Sequence, residues 1–294
     1  MALASVACSG EPAPPLAAGE PLIWQVTDAD STAYIIGAIH ALPEDFEWSS
    51  KRADELFASA DRYWRESRTD DAEYESGRAL LRTNTPLADR IDGDTLSRAS
   101  NALKVRGRDI SEFDGFITGF AAQSISEVIS LTDNGMDFGL GVEAHFEALA
   151  EGQESRELET FARQMRLFTD MSDEQGEELL RYALDKEDGL VTDASPEVED
   201  VLQMWARGDA AAMDELVEGM QERRPWFHEA VLPERNREWA ERFDAHLRAT
   251  SGTEFVAVGM AHLHGPEAFQ DILADRGYRV TLLTPLVKTS PKLQ

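Results

Sequence analysis

AYIIGAIHALP (residues 33–43) and EFVAVGMAHLHGP (residues 254–266) decide how this chain folds. Each is an apolar run closing on Gly-x-x-His, one near the amino end and the other near the carboxyl end. Runs rich in β-branched and aromatic residues read as strands. A glycine after such a run marks the exit, where its backbone freedom permits a sharp turn. His40 and His262 are then carried over the carboxyl edge of the sheet, where open α/β sheets bind ligands.

Working outward, PLIWQVTDADSTAYIIGAIH reads as a β-hairpin, because TDADS supplies turn-forming Asp and Ser between two strand-like runs. Ser49 or Ser50 caps the amphipathic helix that follows, and RYWRES is a short second strand. Helical periodicity then dominates, with Ser195 and Pro196 opening one helix and LPERNREWAERFDAHLRAT forming a long one. SRELETF holds a short strand before a helix. The ending is strand, helix, strand (EFVAVGM, PEAFQDILADRG, YRVTLL), a β-α-β unit that favours parallel pairing. The expectation is an α/β fold: a small central sheet built from both ends of the chain, with a mostly helical insertion over about residues 70–250.

Two imidazoles meeting at one sheet edge can hold a metal or divide acid and base roles. A metal needs a third ligand, and Glu66 and Glu159, each at the end of a short strand, fit; His264 is also within reach. The residues before them are polar (DRYWRE, ESRELE), which leaves the burial of both carboxylates open. A lone histidine is more often a hydrogen-bonded structural residue, the reading kept for His145, His228 and His246 on helices. Repetition of the phrase favours function for His40 and His262. GLGVEA matches a loose dinucleotide fingerprint, but the residues ahead of it are no buried strand, so that match is set aside.

Fifty-six acidic residues against twenty-eight basic ones give a formal charge of −28. Such a field repels nucleic acid and excludes it as a partner class. The one cysteine, Cys8, permits no intramolecular disulfide. Small residues precede it, and a Ser/Gly/Pro/Ala stretch follows, as at a bacterial lipoprotein cleavage site with its tether. Residues 1–20 are therefore expected to be a signal remnant and tether, ahead of a single domain over 21–290. The protein is expected in the periplasm or on the outer membrane, touching the membrane only through lipid on Cys8. The alternatives are a different start to the chain and a cysteine without a role.

Taken in order, several segments resemble the TraB/GumN family, bacterial relatives of the TIKI metalloproteases. They are IW before Gly37-x-x-His40, Glu66, LET with Gln164, MWARGD, Arg235–Asn236 and VAVGMAHLHGP with LADRGYRVT. The resemblance implies two related halves around a helical insertion and a metal-dependent hydrolase, peptidase-like, working outside the cytoplasm on a peptide or other amide. It places His40, Glu66 and His262 at the centre, around a divalent ion (zinc, manganese, cobalt or iron). Glu66 or Glu159 would be a general base, and Arg235 or Asn236 would steady an oxyanion or the substrate. Two other readings remain: a non-catalytic lipoprotein that binds peptide or haem, and a structural lipoprotein.

Overall fold

The structure is a computed structural model that describes residues 20–283 apart from 47, 49, 68–70 and 192–195. Cys8, the tether, Ser49 and Ser195 lie outside the described residues. The strands are β1 (Ile23–Thr27), β2 (Ser31–Ala38), β3 (Leu42–Pro43), β4 (Arg62–Arg65), β5 (Met136–Asp137), β6 (Glu154–Glu157), β7 (Gly252–Gly259) and β8 (Arg279–Leu282). Six form one sheet in the order β6-β4-β7-β2-β1-β8, while β3 and β5 pair separately. The fold is α/β, as expected. β2, β7, β4 and β6 run parallel, so their carboxyl ends share one edge.

β1 and β2 form the hairpin antiparallel, with the Asp28 carboxylate accepting from the N–H groups of Asp30 and Ser31 in the turn. β7 enters between β2 and β4, pairing Gly37 with Val258 and Ala38 with Gly259. The two Gly-x-x-His phrases therefore lie side by side, one residue out of step. The closing unit differs from expectation. β8 runs in the direction of β7 but pairs antiparallel with β1 at the far edge. Both flanks of β7 are already taken by β2 and β4, so the crossover must travel to the open flank of β1.

The helices are α1 (Lys51–Ala58), α2 (Asp71–Leu80), α3 (Gly93–Val105), α4 (Thr118–Asn134), α5 (Val142–Leu149) and α6 (Phe161–Thr169). They continue with α7 (Asp173–Glu187), α8 (Val198–Arg207), α9 (Ala210–Arg223), α10 (Pro225–Val231), α11 (Pro233–Ala249) and α12 (Phe269–Asp275). Ser50 caps α1 by accepting from the Ala53 N–H, whereas α8 starts at a Glu197 cap, just past Pro196. Alternation along the strands divides the core. Tyr63 and Phe255 pack with Phe57, Phe146 and Trp205 on one face; Trp64 and Val256 pack with Trp239, Phe243 and Phe269 on the other. A third cluster joins α3, α4 and α7.

The polar strand β4 sits inside this sheet because its charges find partners. Arg62 donates through Nε to the buried Glu254 carboxylate at 2.8 Å, and Trp64 Nε1 donates to the same group at 2.8 Å. At the other end, Glu66 and Glu159 lie just past β4 and β6. The Glu159 N–H donates to the Glu66 carbonyl at 2.9 Å, extending the ladder by one rung. Both carboxylates are buried, at 8% and 4% exposure, which settles what their polar approach segments left open.

Candidate active site

The shared carboxyl edge gathers His40 after β2, Glu66 after β4, Glu159 after β6 and His262 after β7. Glu66 accepts from the Gly259 N–H through Oε1 at 2.7 Å and from Arg235 Nη2 through Oε2 at 2.7 Å. Burial opposes its ionisation, but the Arg235 charge and the Gly259 N–H outweigh this and hold the carboxyl well below the usual range. A Cβ on Gly259 would stand 3.0 Å from His40 Nε2 and 3.1 Å from Glu66 Oε1. That glycine keeps open the space where the two side chains approach each other.

α11 supplies the group that ties this edge together. Arg235, 3% exposed, donates Nε and Nη2 to Glu159 at 3.1 and 2.5 Å, and a second Nη2 bond to Glu66. Its Nη1 donates to the Val231 carbonyl and to His262 Nε2, at 3.3 and 3.0 Å. All five N–H groups are thereby engaged. The guanidinium also lies over the Trp239 ring, 4.5 Å from its centroid. Burial pushes the Glu159 carboxyl upward despite this pairing, since one guanidinium serves two carboxylates.

Asn236, the next residue, donates Nδ2 to the carbonyls of His262 and Glu267 at 3.1 and 2.8 Å. Its Oδ1 must therefore accept, which places the proton of His262 on Nδ1 at 2.6 Å and leaves Nε2 as acceptor. Burial first, and then the Arg235 charge, push this imidazole down to about 3, so it is neutral. Glu267 holds the only positive φ of a non-glycine residue among those described, 55°, and its carbonyl is one of the two that orient Asn236.

His40 is built differently. It is exposed, and its Nδ1 lies 2.6 Å from Glu143 Oε1. The Glu143 carboxylate raises the imidazole, with burial opposing, to about 9; solvent around the 57% exposed ring screens that attraction. Glu143 stands in the first turn of α5, one hundred residues from its partner's strand, and the sequence reading missed it. The signal was the GLGVEA glycine. A Cβ on Gly141 would run into the His40 carbonyl oxygen, and the Val142 N–H donates to Ile39 at 3.0 Å. Only glycine lets the start of α5 rest on the chain beside His40. We therefore expect Gly141→Ala to displace Glu143 and weaken divalent-ion affinity about 10–100-fold, read by metal titration. Unchanged affinity would show that α5 does not depend on this contact.

Ligating atoms of His40, Glu66 and Glu143 lie within 4.8 Å of one another, the one such trio among the described residues. Both oxygens of Glu143 are buried without a hydrogen-bond partner, so this member of the trio is a carboxylate left unsatisfied. The residue types and the unsatisfied carboxylate fit a divalent cation. His262 is not in the trio: its Nε2 faces Arg235 and stays 3.8 Å from Glu66 Oε1. His264 turns elsewhere, with Nδ1 3.0 Å from Asp214 and its ring edge-on to Trp24. His145 and His246 bond to Asp54 and Glu254. His228 is buried with its Nε2 unpartnered.

The trio opens on a groove of about 370 Å³ that Arg65, Ser67, Phe138, Glu147 and Gln164 also line. Ser67 donates to Gln164 at 2.8 Å, and Gln164 Nε2 donates to Glu66 Oε2 at 3.4 Å. The TraB/PrgY/gumN family matches residues 22–282, so the chain belongs to that family. No curated protein and no solved structure matches it.

Proposed function

We propose that this protein is a metal-dependent hydrolase of peptide or other amide bonds, with His40, Glu66 and Glu143 as the residues that would hold a divalent ion. The supporting observation is the convergence of these three groups on one gap, with an oxygen of Glu143 otherwise unsatisfied. Zinc, manganese, cobalt and iron all suit imidazole and carboxylate donors. Such an ion, when bound, supplies Lewis acidity and an acidified water.

The chain's own residues have separable tasks. Glu66 stays ionised because Arg235 and the Gly259 N–H stabilise its charge. Glu159, His262 and Trp239 hold the guanidinium that holds Glu66, and Asn236 fixes His262, so all four are positioning residues. Neither Arg235 nor Asn236 retains an N–H for an oxyanion, so the role first expected of them passes to another donor. Glu143 lines the groove, and we assign one of its oxygens to the ion and the other to the proton of the attacking water. Export, with lipid on Cys8, belongs to the same proposal and rests on the residues around that cysteine.

The test is turnover. Metal-loaded protein is incubated with a mixed peptide library and cleavage is followed by mass spectrometry, beside Glu143→Gln. With zinc supplied in excess of its weakened affinity and occupancy verified by elemental analysis, Glu143→Gln should be slower by about 10²–10⁴-fold through loss of the proton acceptor. Stoichiometric peptide capture without cleavage would favour the binding-protein reading, and equal turnover by the variant would remove Glu143 from the mechanism.

A further inference from the structure

The amide reading leaves one requirement unmet. When the water oxygen bonds to the carbonyl carbon, the π pair of the C=O bond moves onto its oxygen. That charge needs a donor already in place. Among the described groove residues, Ser67 spends its hydroxyl proton on Gln164, and Gln164 is turned toward Glu66 through one of its two N–H groups. Arg235 and Asn236 are saturated.

Arg65 is different. It ends β4 and lines the groove, with its side chain 14% exposed. Nη1 donates to Glu147 at 2.9 Å, but Nε is buried without a partner. Glu147 lies one helical turn beyond Glu143 on α5, so Arg65 sits one turn along the groove from the proton acceptor. Beneath it, Tyr63 is fully buried and its hydroxyl also has no hydrogen-bond partner; the Arg65 guanidinium is 5.9 Å from the Tyr63 ring centroid. Arg65 Nε and the Glu143 carboxylate are thus unsatisfied polar groups on two residues that line the same groove, which marks it as a place for a polar guest.

We infer that Arg65 is a catalytic residue that donates to the substrate's carbonyl oxygen and stabilises the negative charge it acquires. The inference rests on the hydrolase reading. In the full step the water proton goes to Glu143, the C–N bond breaks, and its electron pair leaves on nitrogen, which takes that proton. Arg65 stays protonated throughout.

Binding measurements separate this from the hydrolase reading itself. Wild type, Arg65→Gln and Arg65→Lys are loaded with zinc, with loading verified by elemental analysis. Each is then titrated calorimetrically with a phosphinic dipeptide, whose tetrahedral anion resembles the charged intermediate, and with the parent dipeptide. Arg65→Gln should weaken the phosphinate about 10²–10³-fold and the parent dipeptide less than about threefold. Arg65→Lys, with its charge kept and its planar fork lost, should fall between. Metal-loaded wild type that ignores the phosphinate, or equal weakening of both ligands, overturns the role of Arg65 alone. Wild type that takes no metal overturns the hydrolase reading and this inference with it.

Discussion

Arg235→Ala is expected to lower the free energy of unfolding by about 3–5 kcal/mol. Among the described residues, the guanidinium is the one cation hydrogen-bonded to both Glu66 and Glu159, and all three side chains are buried. Alanine would leave two carboxylates facing each other away from water, and His262 Nε2 without its donor. Arg235→Lys should recover only part of the loss, since an ammonium cannot span both carboxylates while lying flat over the face of Trp239. Urea denaturation of the three proteins reads the effect. Adding Glu159→Gln to Arg235→Ala should restore stability, because it removes one uncompensated charge; strict additivity of the two changes would contradict that coupling. A midpoint unchanged in Arg235→Ala would mean that the two carboxylates are not held by this residue.

The second large effect concerns metal. His40→Ala and Glu143→Gln should each lower divalent-ion affinity by about 10²-fold or more, since each removes a proposed ligand. His262→Ala should keep one equivalent of ion, with affinity down by about tenfold, because this imidazole acts through Arg235 and Asn236. Equilibrium dialysis followed by elemental mass spectrometry distinguishes the cases. If His262→Ala empties the site as fully as His40→Ala, the ligands are His40, His262 and Glu66, and the arrangement with Glu143 is not the one that binds.

Much of this edge was legible in the residues. The repeated phrase brought His40 and His262 together because a strand run and a following glycine are local signals. Glu66 and Glu159 were found for the same reason, as acidic residues closing short strands. Glu143 was hidden, since its approach to His40 depends on the absence of one Cβ at Gly141, a contact between segments far apart in sequence. Order within the sheet was hidden too. β8 pairs with β1 because β7 is enclosed, which no local pattern encodes. Nor does the motif distinguish its two copies. One imidazole is exposed and held by a carboxylate; the other is sealed between Trp239 and Arg235.

The central place of β7 has a consequence for the history of each molecule. Until residues 252–259 are synthesised, β2 and β4 have no strand between them, and each offers an open edge to whatever is near. Glu66 then lacks its Gly259 donor, and α11 has no finished sheet to rest on. Assembly depends on contacts between the two ends of the chain, the kind that makes folding slow. A nascent or clipped chain therefore lacks this edge, and its side chains are brought together in one late event, after almost the whole polypeptide exists.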